Sequence, residues 1–443
     1  MDLLPTELLL LTGDYIHDLP TKRALSECSR RFRQIFQPLL YTSITFGPTR
    51  SIPLIVQNLC REPYLASRVR HITLAHDCEH WNRLHQSEIG RGIDSTLIHR
   101  ILNETFETKT EKTRWKKYLN SFCGVAWVGL LLTRLSRLET LLLAYDHDEL
   151  LQDILEKAAM RQRPFHNTPP FPCLQRVQIS SLAAWKPVTT DFVLPFLYFP
   201  AVREVLAYNI QERPLDQIQR SLAQLTIGNP MCQVTRAGVM MWASDPTGMA
   251  KWAKLCPKLE HFHVVLYYPP NLHDGHLDIE AFRQALLQAK DTLKSLRLGF
   301  MWTASKGSDY QTPSMVQCDL YGLLGSLKDF SVLQQLSIPH ASLVGLKFNN
   351  SGSFTGQLPC SLEVLEITGV VVVGCFTLIA SYLAELVRYR VDLVPRLRLL
   401  VLKLGPMVRS LLGTAFLRLV CEAAGVELEI QDLDFREDDV SNC

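Results

Sequence analysis

A single hydrophobic pattern recurs along most of the chain. It consists of an apolar residue, two further positions, a second apolar residue, one intervening position and a third apolar residue, as in Leu293-Leu296-Leu298. The last two apolar residues face the same side when such a segment forms a strand. We therefore interpret each copy as a short strand with two inward-facing side chains, preceded by an apolar anchor. Ten copies begin at Val69, Leu138, Leu174, Val202, Leu222, Leu259, Leu293, Leu333, Leu362 and Leu397.

The spacing of the copies predicts how the strands are connected. From Leu259 to Leu397 the intervals are 34, 40, 29 and 35 residues, and helix-like stretches such as EAFRQALLQAK and TLIASYLAELVRY lie between copies. A strand and a helix repeated at this period are typical of a leucine-rich-repeat-like solenoid. The sequence therefore predicts an α/β fold over residues 69–443. We expect an irregular horseshoe with parallel strands inside, stacked in chain order, and helices outside.

One long interval separates the first two copies. Residues 75–137 hold no copy, but they contain the charged stretch KTEKTRWKK at 109–117 and an apolar, helix-like stretch after it. We interpret this segment as an insertion with an exposed basic helix or loop. The charged stretch is typical of a solvated helix face, and a basic surface for an acidic partner is the alternative.

A second segment has the composition of a short membrane span. Residues 367–384 carry no charged side chain over eighteen positions, which is near the minimum length for such a helix. However, Gly369 and Gly374 flank the β-branched run from Val370 to Val373, and β-branched residues favour strands over helices. We therefore predict a strand, a turn and a buried helix that begins near Phe376.

The first forty-six residues follow the pattern of short helices. Pro5 and Glu7 are favoured in the first turn of a helix, and four consecutive leucines follow, from Leu8 to Leu11. A second helix start at 18–21 precedes TKRALSECSRRFRQIF, where apolar residues recur at intervals of three and four, and residues 41–46 alternate as a strand does. So few residues cannot bury enough surface to be stable alone. This segment must pack on the rest of the chain, on a partner, or on both.

The order and spacing of this N-terminal block resemble an F-box, particularly the F-boxes of filamentous fungi. The matching residues are LPTELL at 4–9, Ile16, Leu19-Pro20, ALSECSRRFRQI and then PLLYTSITF. An F-box binds the Skp-type linker subunit of cullin–RING ubiquitin ligases. The resemblance implies that residues 1–46 form such a docking module and that the solenoid follows a linking helix and bend at 47–68.

The same resemblance implies which side chains contact the linker and what the protein does. The positions that match the family's partner-facing residues are Leu4, Pro5, Leu8, Ile16, Leu19, Leu25 and Phe32. The chain would then be the substrate-recognition subunit of an SCF-type ubiquitin ligase in the cytoplasm or the nucleus. It would have no catalytic residue and no cofactor of its own. The alternative is an F-box and solenoid scaffold that acts outside ubiquitin ligation.

The predicted strands also offer a surface for a target protein. The residues between the inward-facing ones point to the other face of the sheet, and solenoids commonly bind partners through that concave face. Here it mixes arginine and tyrosine, which are enriched at binding hot spots, with histidine. The alternative is that these are merely solvated sheet positions. The candidate target-binding residues are Arg176, Gln178, Tyr208, His261, His263 and Arg297.

Composition and motifs indicate neither catalysis nor nucleic-acid binding. The 46 basic and 44 acidic side chains nearly balance, so no overall charge would attract nucleic acid. The sequence has no phosphate-binding glycine loop and no Gly-x-Ser-x-Gly or His-Glu-x-x-His motif. The twelve cysteines include no Cys-x-x-Cys pair, which predicts reduced thiols. The spacing of His76, Cys78, His80 and His85 fits no common zinc site.

Overall fold

The chain forms two compact units, each of which is described by itself. The first comprises Met1–Val188, Phe192–Arg203 and Gln224–Pro230, and the second comprises Thr189–Asp191, Glu204–Ala223 and Met231–Cys443. Within them, the computed structural model describes residues 4–16, 18–47, 52–76, 93–145, 149–181, 188–211, 232–242, 252–268, 279–302, 324–344, 354–370, 373–405 and 412–432.

The first unit combines a parallel sheet with helices. Its strands are neighbours in chain order: β1 (Ser43–Phe46), β2 (His71–His76), β3 (Thr140–Tyr145) and β4 (Arg176–Ser180). Its helices are α1 (Thr6–Tyr15), α2 (Leu19–Cys28), α3 (Arg30–Leu39), α4 (Ile52–Arg61), α5 (Pro63–Ala66), α6 (Ser95–Thr105), α7 (Lys109–Asn120), α8 (Gly124–Leu132) and α9 (Glu149–Ala159), with a 3-10 helix at Leu194–Tyr198. Strand β1 lies within residues 1–46, so the predicted docking module includes an edge strand of this sheet.

The second unit repeats the same arrangement with more strands. After the short elements β5 (Val188–Thr189) and α10 (Thr190–Val193), its strands are β6 (Glu204–Gln211), β7 (Arg236–Trp242), β8 (His261–Tyr268), β9 (Ser295–Trp302), β10 (Gln335–Pro339), β11 (Val364–Val370), β12 (Leu399–Leu404) and β13 (Glu427–Asp432). From β6 to β13 each strand pairs in parallel with the next one along the chain. The helices are α11 (Ile279–Leu286), α12 (His340–Val344), α13 (Val373–Arg388), α14 (Arg390–Leu393) and α15 (Leu412–Ala424), with 3-10 helices at Leu287–Ala289 and Phe354–Gln357.

The recurring hydrophobic pattern marks the interior. In each of the nine copies that fall within the described residues, all three apolar positions are at most 3% exposed. The predicted parallel α/β arrangement is confirmed, including the position of the strand after Leu293 between its neighbours in the chain. The copy at Leu222 lies outside the described residues. The strand beside β6 is instead β7, which follows the weaker pattern Val234-Ala237-Val239.

The backbone joins successive repeats in one recurring way. Just before a strand, one carbonyl accepts two consecutive N–H groups from the next repeat. The carbonyl of Glu260 accepts from Lys294 and Ser295 at 2.7 and 3.0 Å, for example. These bonds extend the pairing beyond the strands and so help to set their register. Parallel neighbours also require a crossover connection, which explains the alternation of strands and helices.

The predicted insertion at 75–137 contains helices that lie in the connection between β2 and β3. Those two strands are direct neighbours, and helices α6, α7 and α8 lie between them in the chain. Trp115 and Leu119 anchor α7, since both are fully buried, while Lys116 and Lys117 are exposed. The predicted basic helix is therefore one face of a packed helix.

The uncharged segment at 367–384 divides as predicted. Strand β11 ends at Val370, and helix α13 begins at Val373, three residues before the predicted start. Gly369 has a φ of +75°, which favours glycine, and the ladder between β11 and β12 shifts there. Among the described residues, no helix combines the length and the apolarity that crossing a membrane requires.

Candidate functional site

Three short helices at the N-terminus are separated by two capping residues. Asp18 accepts a hydrogen bond from the N–H of Thr21 at 2.8 Å and so caps α2. Ser29 has extended backbone angles, and its hydroxyl accepts from the N–H of Phe32 at 3.1 Å. Ser29 therefore ends α2 and begins α3. The apolar face predicted along TKRALSECSRRFRQIF is divided between two helices.

A small apolar cluster holds these helices together. Its buried members are Leu9 of α1 and Phe32, Ile35 and Phe36 of α3, with the rings of Phe32 and Phe36 5.5 Å apart. Gly13 allows close approach, because a side chain there would overlap Leu39 and lie tightly against Phe36. The packed face of α1 is thus the face that carries Leu9 and Gly13.

The opposite face of α1 is apolar and exposed. Leu4, Leu8, Leu11 and Tyr15 recur at intervals of three and four, and they are 38%, 48%, 52% and 76% exposed. These spacings place Leu8, Leu11 and Tyr15 on one side of the helix, and Leu4 lies two residues before its first turn. We call them the apolar stripe. Leu19, at the start of α2, is exposed as well, and Arg31 of α3 donates a hydrogen bond to the carbonyl of Leu4.

The structure divides the residues predicted to contact a linker into two groups. Ile16 and Leu25 are half-buried against the apolar cluster, and Phe32 is buried within it. Those three side chains therefore pack the helices together. Two stripe members, Leu11 and Tyr15, were missed, although their spacing from Leu8 is visible in the sequence. The exposed members of the predicted set are Leu4, Pro5, Leu8 and Leu19.

The residues predicted to bind a target fall in both units. In the first, Arg176 and Gln178 of β4 lie beside Thr140 and Leu142 of β3. The other four, Tyr208, His261, His263 and Arg297, belong to the second unit. There the strand register places His263 beside Arg297.

A hollow lies beside His263 on the sheet of the second unit. It is lined by Leu206, Tyr208, Gly238, Met240, His263 and Val265, among others. Gly238 lies between Leu206 and His263 in the register, and a side chain there would overlap Leu206. At the rim, the ladder between β6 and β7 shifts near Asn209, whose φ is +55°. Such bulges redirect the side chains beside them.

Two other predicted residues have internal contacts. A nitrogen of the Arg297 guanidinium lies 3.5 Å from a carboxylate oxygen of Glu366, and the same oxygen is 3.2 Å from Nζ of Lys403. Burial, together with the nearby guanidinium of Arg236, holds the pKa of His261 below its usual range. Arg297 thus takes part in an ion-pair cluster, and His261 is mainly uncharged at neutral pH.

Ion pairs with neighbouring helices engage some of the charged side chains of the basic helix α7. Arg114 forms a 3.0 Å ion pair with Glu149, and Lys157 of α9 pairs with Glu111. Trp115 stacks on Phe106 with 4.9 Å between ring centroids. This pattern is that of a packed helix with a solvated outer face.

Neither a metal site among the described residues nor a matching family model bears on the role of these surfaces. No three histidine, cysteine, aspartate or glutamate side chains converge on a metal-sized site within the part of the chain that the structure describes. Cys78, His80 and His85 lie outside that part, as does the side chain of His76. No protein-family model matches the sequence, and no curated protein matches it significantly.

Proposed function

We propose that α1–α3 form an F-box-type module that binds a Skp-type linker. The protein would then serve as the substrate-recognition subunit of a cullin–RING ubiquitin ligase of the SCF type. The observation that carries this proposal is the apolar stripe on α1. A surface helix normally turns its apolar stripe toward the core, whereas α1 also exposes one on the side away from its packing partner. The F-box resemblance of residues 4–46 supports a Skp-type linker as the occupant.

The energetics of the stripe favour a stable contact. Full burial of one large apolar side chain contributes roughly 1.5–3 kcal/mol. Leu4, Leu8, Leu11 and Tyr15 are already about one-quarter to two-thirds covered, so each has only part of this left to gain. Contiguous exposed apolar surface of this kind marks interaction sites. Because the packed face of α1 is already occupied, the linker would bind without unfolding the three helices.

In the proposed function the sheets hold the target. The residues that line the hollow beside His263, Tyr208 among them, would contact the target. One chain would then hold both the linker and the target. The protein contributes effective concentration and orientation for ubiquitin transfer by other subunits, and no bond chemistry of its own.

The test is linker binding by a double variant, Pro5→Ala with Leu8→Ala. Both residues are exposed, so we expect thermal unfolding to change little. Truncating central anchors typically costs 2 kcal/mol or more, so linker affinity should fall by well over tenfold, measured by calorimetry with purified proteins. The matched control is Phe416→Ala with Leu419→Ala, two exposed apolar residues of α15.

Two outcomes would oppose the proposal in different ways. Equal linker affinity of the double variant and the wild type would contradict docking through the stripe. Co-purification with the linker but without cullin would support the alternative, a scaffold that uses the module outside ubiquitin ligation.

A further inference from the structure

Two cysteines of the second unit lie in contact at the entrances of neighbouring strands. Cys232 precedes β7 and Cys256 precedes β8, and their Sγ atoms are 3.5 Å apart. We propose that this pair is an oxidation site, at which hydrogen peroxide or another small peroxide forms a disulfide between the two loops. The proposal is independent of linker docking.

Hydrogen bonds already hold the two loops in a position that suits a disulfide between Cys232 and Cys256. The N–H groups of Glu260 and His261 both donate to the carbonyl of Thr235, at 2.7 and 3.0 Å. Nζ of Lys258 donates to Oε1 of Gln233 at 2.9 Å. The two loops are therefore held side by side. A disulfide has an S–S distance of about 2.05 Å, so the sulfur atoms need to approach by roughly 1.5 Å.

The two thiols differ in their exposure to solvent, and this difference determines which of them reacts first with peroxide. Cys232 is half-buried and reachable by peroxide, whereas Cys256 is only 3% exposed. The hydrogen bond with Cys232 and burial both raise the pKa of the Cys256 thiol well above its usual range. Cys256 is thus a poor first nucleophile toward peroxide, because the thiolate is the reactive form. Cys232 reacts first.

The chemistry then proceeds in two balanced steps. The sulfur of Cys232 attacks one peroxide oxygen, the O–O bond breaks, and a sulfenic acid and one water are formed. The sulfur of Cys256 next attacks the sulfenic sulfur. The S–O bond breaks, the hydroxide leaves with the proton of the Cys256 thiol as a second water, and the disulfide remains. Two thiols are oxidised, and one peroxide is reduced to two waters.

The bond would act on the strands that line the hollow. It joins residues 24 positions apart and encloses β7, which contributes Gly238 and Met240, while β8 contributes His263 and Val265. Closing such a loop restricts the unfolded chain and so stabilises the folded one. Oxidation would therefore raise the Tm of the protein and hold the starts of both strands together.

The test treats the full-length protein with hydrogen peroxide, blocks the remaining thiols by alkylation and maps the peptides by mass spectrometry. We expect a peptide pair joined through Cys232 and Cys256, lighter by two hydrogens than the separate peptides. A reductant should release the pair and reverse a rise in Tm. The exposed Cys360 serves as an internal standard for single-thiol oxidation.

Two variants sharpen the result. Cys232→Ser should lose the linked peptide, while Cys256 stays alkylatable once the protein is unfolded. Cys360→Ser should form the linked peptide as the wild type does. The inference is overturned if wild-type Cys256 is recovered fully alkylated after Cys360 has been oxidised, or if Cys232 is found bonded to a different cysteine.

Discussion

Two leucine runs of this chain end up in opposite surroundings. Helix α1 contains ELLLLTG, and helix α8 ends within the stretch GLLLTR. In α1, Leu9 and Gly13 are the buried positions, while Leu8, Leu10 and Leu11 are exposed. In α8 every residue from Gly124 to Leu132 is buried. Of two nearly identical apolar stretches, the one in α1 is therefore largely exposed and the one in α8 is buried in the core.

The difference lies in the neighbours of each helix. Helix α8 packs against α4, α7 and α9, which cover it on several sides. The main helix contact of α1 is with α3. An apolar run creates a favourable free energy of burial, but other elements must supply the surface that covers it. The stripe on α1 remains exposed among the described residues, and together with the F-box resemblance this is why we assign it to a partner.

The largest expected effect comes from placing one charge in each run. Leu131→Asp puts a carboxylate at a fully buried position of α8. A buried charge without a partner costs several kcal/mol, so we expect a folded yield near zero or a large fall in Tm. Leu11→Asp lies on the exposed stripe and should leave the Tm close to that of the wild type. Thermal unfolding of both variants measures the contrast.

Linker binding separates this contrast from a general stability effect. Leu11→Asp should weaken linker binding while the protein stays folded. A Tm loss of equal size in the two variants would mean that the stripe is covered within the protein, and our comparison would then fail.

A smaller effect distinguishes neighbours within one run. Leu9→Ala removes a buried side chain from the cluster of α1 and α3 and should cost about 2–5 kcal/mol of local stability. Leu8→Ala and Leu10→Ala alter exposed positions, so each should stay within about 0.5 kcal/mol. Hydrogen exchange of the α1–α3 amides reports this stability directly. Equal protection in all three variants would contradict the orientation of α1.

The smallest effect concerns the cap that positions α3 against α1. Ser29→Ala removes the hydroxyl that accepts from the N–H of Phe32 and should cost about 0.5–2 kcal/mol. Ser29→Asn keeps an acceptor at this position and should be nearly neutral. Chemical denaturation followed by helix-sensitive spectroscopy measures both. If alanine and asparagine behave alike, Ser29 does not cap α3.

Much of the sheet could be predicted because its signal is local. Apolar residues two positions apart identify a strand face, and the anchor three positions earlier, such as Leu293, marks where the strand begins. Strand β7 escaped because its copy, Val234-Ala237-Val239, places a small residue at the first inward-facing position and a glycine directly after it. The division of α2 from α3 escaped because Ser29 interrupts an otherwise continuous helical pattern with a single residue.

The candidate sites could be predicted only in part. The exposed positions Leu4 and Leu8 were visible as surplus leucine near the N-terminus. The hollow was not, because it depends on Gly238 lying between side chains of two other strands. The ion pair of Arg297 with Glu366 joins residues about seventy positions apart in the sequence. No local pattern contains such a pairing.

The sequence by itself determined most of the strands and helices and which of their faces are apolar, because those features depend on residues a few positions apart. Tertiary structure decided which apolar face is covered, as in α8, and which is left open, as in α1. It also decided that Cys232 and Cys256 touch. The physical reason is that burial and contact require elements distant in the chain to meet, and their meeting depends on how the whole set of strands is stacked.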